Sequence, residues 1–466
     1  MSKEPRDPKT IGYLPDETPP FWKLILYALQ QIIVMFPATI LVALLTGFHL
    51  ATTIFASGLA TLGFILITKK KIPLYYGSSF SYLSAIIGLT GGVAFGEVLP
   101  DSAISGVQFG IIASGLVSIV AGIIVSRFGR KSIEKVLPPT ITGPIAMVIG
   151  LTLAANALAD AAPAAGVTDI TGTNWVWVVS LITLVSTILF SVYLKGFLGQ
   201  IPLLLGPIVG CIAAAIIYAI TGQSLFRELP AAAMAGAQII PGVLAVPHFT
   251  LPRVDWVALA AIMPIAIATI PESTAHVFQL DIYVNDLAKK KGVGKTYDIA
   301  DRLGSNLMGD GLGDIIASMF GGPAGTNYGE NISTMAITKV FSVGVLVAAA
   351  IIAMILSFFS PIVNVIYSIP QAVIGGIEIF LFGAIAAQGI AIMIDRKCDM
   401  FDARNIAVIA VIMIIGIGGQ YQYGGMIPFF GMQVPCIAGA AIAGILLNLL
   451  LSIGRKDEEE AEEKAE

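Results

Sequence analysis

The sequence predicts an all-α polytopic membrane protein with about 14 transmembrane segments arranged as a 7+7 inverted repeat. Three observations carry that expectation. The 466 residues are 56% hydrophobic and 12% charged, with a mean hydropathy of +0.87, whereas a soluble domain carries about 25% charge. Apolar runs near the roughly 20 residues that a helix needs to cross a bilayer recur along the chain. Patterns marked by proline and glycine in the first half also return in the second, in the same order.

The segments begin near Leu24, Ala51, Ser79, Gly106, Pro139, Val176, Ile201, Val257, Gly304, Asn331, Phe341, Ala372, Asn405 and Met432. Several are short or interrupted, and 49 glycines with 25 prolines suit close helix packing and broken segments. Basic residues set the orientation. Lys69 to Lys71, then Arg127, Arg130 and Lys131, Lys195, Lys289 to Lys291, Arg396 with Lys397, and Arg455 with Lys456 fall in alternate connections. Acidic Glu97, Asp101, Asp160 and Asp169 fall in the others. Both termini are therefore expected in the cytoplasm. The polar stretch from Met1 to Pro20 does not read as a cleavable signal, so the first span directs insertion.

Residue spacing supports the duplication. Leu137-Pro138 with Gly143 returns as Ile369-Pro370 with Gly375, about 232 residues on. Gln200-Ile201-Pro202 returns as Gln433-Val434-Pro435, and Pro37 as Pro271, at nearly the same offset. Tyr76-Gly77 and Tyr328-Gly329 are about 252 apart, the excess falling in a longer loop around Lys289 to Asp301. An odd number of spans per repeat inverts the second half, which places a substrate site near the midplane. The expected division is a cytoplasmic segment over 1–22, a first repeat over 23–235, a second over 250–453, and an acidic cytoplasmic tail over 454–466.

Composition also excludes function classes. Cys211, Cys398 and Cys436 are too few and too apolar in setting for a disulfide framework or a zinc site. No nucleophile–base constellation, cofactor motif or nucleic-acid patch stands out, so an enzyme is not expected. His49 and His248 read as ordinary residues near span ends or in loops. Asp310 and Asp314, in the glycine-rich run from Gly309 to Gly313, read as solvated at a loop or helix end.

Glu272 and Glu330 stand apart. Each lies in a stretch greasy enough to face lipid, where an ionisable group costs roughly 2.5–3.5 kcal/mol even on the mildest insertion scale and signals function. Tyr76 to Phe80 and Thr326 to Asn331 are polar, glycine-containing stretches before short apolar helices. Non-helical backbone at that depth must be buried in protein or line a cavity, and its free N–H groups at a helix start can donate to ligand oxygens. Glu272 and His276 are four apart and share a helix face. A midplane carboxylate beside a histidine is the equipment of a proton-coupled carrier. Glu378 lies in an apolar run, four residues before Phe382, and is a second candidate for titration.

The text at these positions resembles the nucleobase–ascorbate transporter family, and within it the bacterial uracil permeases, over residues 20 to 453. The matching residues are Leu29-Gln30-Gln31 with Met35-Phe36, Ile72-Pro73 through Tyr76-Gly77-Ser78-Ser79-Phe80, Glu272 with His276, and Tyr328-Gly329-Glu330-Asn331-Ile332 followed by Met335-Ala336-Ile337-Thr338. The resemblance implies core and gate domains (spans 1–4 with 8–11, and 5–7 with 12–14), short β-strands before the third and tenth helices, and an elevator-like movement, with many members dimeric. It implies that Glu272 and Glu330 hold a nucleobase, that Phe80 stacks on it, and that backbone at Ala38 and Gly329 contacts it beside Tyr328 and Phe382. Proton coupling is assigned to Glu272, His276 and Glu378. Gln31, Pro37, Phe382 and Lys339 depart from residues common in relatives, which bears on the choice of base. Lys339 itself is expected to snorkel to the cytoplasmic surface.

The expected activity is proton-coupled uracil uptake across the cytoplasmic membrane, in a lipid-embedded homodimer without cofactor or metal. Xanthine or urate uptake is the alternative within the class, and sodium remains open as the coupling ion. An anion transporter of the same fold is disfavoured, because such a site calls for a cation or dipoles rather than two glutamates.

Overall fold

The computed structural model describes residues 12–94, 96–129, 136–163, 170–196, 198–230 and 236–453. Arg130, Lys131, Asp169, Arg455, Lys456 and the acidic tail, used above for orientation and domain limits, lie outside the described residues. The chain is mostly helical. Among the described residues, nine helices are long and apolar enough to cross a membrane, and shorter apolar helices lie at Phe80–Thr90, Val343–Leu356 and Cys436–Leu450.

In chain order the first half holds α1 (Phe21–Thr46), α2 (Leu50–Ile67), strand β1 (Tyr76–Ser78), α3 (Leu83–Thr90), α4 (Asp101–Phe128), α5 (Pro139–Thr152), α6 (Ala154–Ala161), α7 (Ile170–Tyr193) and α8 (Pro202–Thr221). A hairpin of β2 (Gln238–Ile240) and β3 (Leu244–Ala245) follows. The second half holds α9 (Trp256–Ile262), α10 (Ala266–Lys291), α11 (Leu303–Met319), β4 (Gly325–Asn327), α12 (Gly329–Thr338), α13 (Val343–Leu356), α14 (Ser360–Ser368), α15 (Gln371–Asp395) and α16 (Ala403–Tyr423). It ends with a hairpin of β5 (Met426–Phe429) and β6 (Met432–Pro435), then α17 (Cys436–Leu450).

Strands β1 and β4 solve one problem together. Extended backbone among buried helices must find its hydrogen bonds inside the protein, and these strands pair antiparallel, Tyr76 with Asn327, Gly77 with Thr326 and Ser78 with Gly325. Thr61 Oγ1 accepts from the Tyr76 amide at 3.0 Å, and Ser57 and Thr61 donate to the Tyr76 carbonyl at 2.9 and 3.0 Å. The ring of Tyr328 lies on Gly77, where an added Cβ would come within 2.4 Å of it. The two strand–helix units therefore meet at one crossover.

Small residues let the surrounding helices touch. A Cβ on Gly115 of α4 would stand 2.5 Å from the Gly311 carbonyl of α11, and one on Gly150 of α5 would stand 2.4 Å from the Phe382 carbonyl of α15. Such close backbone approach is how apolar helices associate without a hydrophobic driving force. Pro37 lies inside α1 and Pro271 inside α10. Each removes a helical N–H next to the crossover.

The N-terminal segment packs as a strap. The Tyr13 amide donates to the Lys339 carbonyl at 2.8 Å, and the Phe341 amide donates to the Tyr13 carbonyl at 2.7 Å. Lys291 reaches Glu17 at 2.5 Å, and Lys295 reaches Asp16 at 2.7 Å. Lys339 is exposed and caps α12 in the left-handed conformation.

Candidate functional site

At the crossover, β1 runs into a 3-10 turn over Phe80–Tyr82, and β4 runs into α12. The Ser79 hydroxyl caps the first by accepting from the Ser81 amide at 3.3 Å. The second starts at Tyr328 with no side-chain cap, and Glu330 lies in its first turn. Phe80, Glu272, Gly329 and Glu330 are half-buried, while their neighbours Ser79, Ser81, Ser273, Tyr328 and Asn331 are buried. All four are partly accessible at or beside the strand crossover.

The two glutamates have few protein partners. Glu272 accepts one long hydrogen bond, from Ser81 Oγ at 3.4 Å. Glu330 folds back onto its own backbone N–H. They lie within electrostatic reach of each other. Phe80 meets Phe382 of α15 edge to face, with ring centroids 5.9 Å apart at 75°. The crossover therefore abuts α15.

The remaining expected residues support the crossover from behind. Ala38 is buried on α1 beside Thr39, whose hydroxyl lies 2.8 Å from that of Tyr328. Tyr328 also donates to the Ser78 carbonyl at 3.1 Å, so its hydroxyl is fully engaged within the protein. His276 is buried beneath the start of α12; a Cβ on Gly329 would stand 2.9 Å from its Nε2. Gln31 ties α1 to α12 by accepting from Asn331 Nδ2 at 2.7 Å. Glu378 is elsewhere. It is fully buried on α15 and faces Asp160 of α6, whose Oδ1 accepts from Gln371 Nε2 at 2.7 Å.

Two sets of residues depart from the sequence reading. Asp310 and Asp314 are not solvated at a helix end; they are buried in the body of α11. Asp310 accepts from Asn327 Nδ2 at 2.9 Å, from Asn306 Nδ2 at 3.1 Å, and from Ser273 Oγ. Asp314 accepts from Tyr76 OH and from the Gly325 amide, both at 2.8 Å. The glycine-rich run suggested a loop, but those glycines receive neighbouring helices and rings, with Tyr76 against Gly313 and Phe64 against Gly309. The second set is His49, Asp101 and His248, which come together from three distant segments.

Two partly accessible, lightly bonded carboxylates, an uncapped helix start and an aromatic ring thus come together among apolar helices. The protein is a membrane permease, not an enzyme, as its family and relatives show. The chain belongs to the permease family whose model matches residues 22–424, the nucleobase:cation symporter-2 group. It is 35% identical over 462 residues to the uracil permease of Bacillus subtilis (97% of this chain, 98% of that one). It is 36% identical over 437 residues to the uracil permease of Bacillus caldolyticus (93% of each), and 33% identical over 449 residues to that of Escherichia coli K12 (95% of each). In fold it is similar to the murine anion transporter Slc26a9 in its inward-facing state, with a TM-score of 0.62 at 14% identity over 97% of this chain and 73% of that one. The transmembrane domain of the cyanobacterial bicarbonate transporter BicA gives 0.56 at 13% identity over 92% and 97%.

Proposed function

We propose that the protein carries uracil into the cell together with protons, with the base held at the crossover of β1–α3 and β4–α12. The observation that carries this reading is the pair Glu272 and Glu330: half-buried, within electrostatic reach of each other, and almost without hydrogen bonds from the protein. Uracil presents two N–H donors and two carbonyl acceptors in one plane. The carboxylates accept the N–H groups, the free amides at the start of α12 donate to a carbonyl, and Phe80 stacks on the ring. Nearly full-length identity to several uracil permeases supports the substrate.

In this reading the helices group into fourteen crossings: α1, α2, β1–α3, α4, α5–α6, α7 and α8, then α9–α10, α11, β4–α12, α13, α15, α16 and α17. Spans 1–4 and 8–11 form the core that carries the base, and the others form the gate. Phe382 is the gate's contact with the core, and Tyr328, Ala38 and Gly329 shape the pocket wall. The protein works as a homodimer in the cell membrane with both termini cytoplasmic, and the core slides against the gate. Glu272 takes up the coupled proton, with His276 fixing the backbone beneath the site.

Proteoliposomes holding the purified protein test the whole reading. Labelled uracil should accumulate under an inward proton gradient in sodium-free buffer and not in its absence. Accumulation driven by sodium alone, or of xanthine in preference to uracil, would refute the ion or the substrate assigned here.

A further inference from the structure

His49, Asp101 and His248 are brought together at the end of α1 remote from the N-terminus. His49 precedes α2, Asp101 lies in the first turn of α4, and His248 lies in the connection between the two halves. His248 Nε2 is 3.0 Å from each Asp101 carboxylate oxygen, and His49 Nε2 is 3.8 Å from the nearer one. The imidazole rings lie 4.4 Å apart. One donor atom from each residue falls within 4.8 Å of the other two. His49 is 6% exposed, and its Nε2 points into this group with no hydrogen-bond partner. A buried polar atom left without a partner costs about 1–3 kcal/mol and needs a reason.

We propose that these residues form a binding site for a divalent transition-metal ion of the Zn²⁺ class, which clips the connection between the halves to the first half. The donor set suits such an ion: two imidazoles and one carboxylate, with a position left open. Zinc bonds of about 2.0–2.2 Å in a tetrahedron put donors roughly 3.3–3.5 Å apart. The observed separations need only about an ångström of adjustment at the widest pair.

The backbone is already fixed around the donors. Thr52 Oγ1 donates to the His248 carbonyl at 2.6 Å, the Leu99 amide donates to the Gly47 carbonyl at 2.8 Å, and the Thr53 hydroxyl donates to the His49 carbonyl at 3.0 Å. A cavity of about 340 Å³ adjoins both histidines and is lined also by Gly236, Gln238, Ser360 and Asn364. It gives an ion and its remaining water a way in. The same cavity runs under the β2–β3 hairpin, which pairs with the chain at Phe358 to Ser360. An ion bound there braces hairpin, α1–α2 connection and α4 as one unit.

The test uses the full-length protein in detergent after chelator treatment, with Zn²⁺ alone in calorimetry and Co²⁺ alone in visible absorption. The expected result is one equivalent of Zn²⁺ and a Co²⁺ spectrum with imidazole ligation and low coordination number. His248→Ala and His49→Ala should each weaken binding on the order of tenfold or more and abolish that spectrum. Asp101→Asn, at an exposed position that leaves the fold undisturbed, should weaken it as well. Zn²⁺ should raise the melting temperature of wild type and not that of His248→Ala. Zn²⁺ binding by the His49→Ala/His248→Ala double variant equal to wild type would place the ion elsewhere in the chain and end the proposal. Absence of saturable binding by wild type would end it too.

Discussion

Two pairs of acidic side chains lie close together in this protein, and it treats them in opposite ways. Asp310 and Asp314 are buried and saturated: Ser273, Asn306, Asn327, Tyr76 and the Gly325 amide all donate to them. Glu272 and Glu330 are half-buried and nearly bare, with one long bond from Ser81 and one from a residue's own backbone. Depth alone therefore does not mark a binding carboxylate. What separates the pairs is whether their acceptor capacity is filled by the fold. A filled pair holds α10, α11 and the strand crossover in register, whereas the unfilled pair keeps the acceptor capacity that the proposed base would use.

The largest effect should come from emptying the filled pair. Asp310→Ala strands donors from Ser273, Asn306 and Asn327, each a buried group whose loss of a partner costs about 1–3 kcal/mol. The expected destabilisation is on the order of 3 kcal/mol or more, read as a lower melting temperature and poor recovery from the membrane. Protein that survives should still bind ligand at the other pair. An Asp310→Ala variant that melts with wild type but has lost binding would reverse the roles assigned to the two pairs.

The sequence exposed the unfilled pair and hid the filled one, for a physical reason. Glu272 and Glu330 interrupt apolar text and sit in patterns that return between the halves, so one strand of reasoning found both. Asp310 and Asp314 sit among Gly309, Gly311 and Gly313, a composition that reads as a loop in water. In a packed helix the same glycines admit neighbouring rings, and the donors come from positions as distant as Tyr76 and Asn327. The succession of helices and the internal spacing were legible because period and proline position are local. Partners across more than two hundred residues were not. His49, Asp101 and His248 were passed over on the same ground.

Glu330→Ala should affect binding rather than stability. A ligand N–H would lose a charged acceptor, which is worth about 1.5–3 kcal/mol, or roughly 10- to 150-fold in Kd. The melting temperature without ligand should stay nearly level, because the one protein donor that loses its acceptor is the residue's own backbone N–H at the partly accessible start of α12. Glu272→Gln should leave binding measurable and remove the dependence of uptake on the proton gradient. Normal uracil affinity in Glu330→Ala, measured by calorimetry, would dismiss the unfilled pair as the site.

Phe80→Ala sharpens the contrast, since it removes area without touching charge. Base–aromatic stacking contributes about 1–3 kcal/mol, so affinity should fall by a similar or smaller factor, equally at two pH values. Phe80 also contacts Phe382 of α15. If the affinity loss changes with pH, the ring is shaping the carboxylates rather than stacking on a base.

The smallest expected effect on binding concerns a third carboxyl pair that falls between the other two. Glu378 is fully buried, yet its two oxygens have no partner with ordinary hydrogen-bond geometry, and the group it faces is another acid, Asp160. It is neither saturated like Asp310 nor partly accessible like Glu330. It also lies on α15 one turn before Phe382, the residue that meets the crossover. An isolated charge at such a place is too costly to persist, so in the proposed sliding of core against gate its state depends on what packs against α15. Glu378→Gln keeps the volume and removes titration. Uracil affinity should stay within about twofold of wild type, the scale of a substitution outside the contact shell, while the uptake rate should lose part of its pH dependence. Uptake by Glu378→Gln that follows the wild-type pH profile throughout would assign the residue to packing alone.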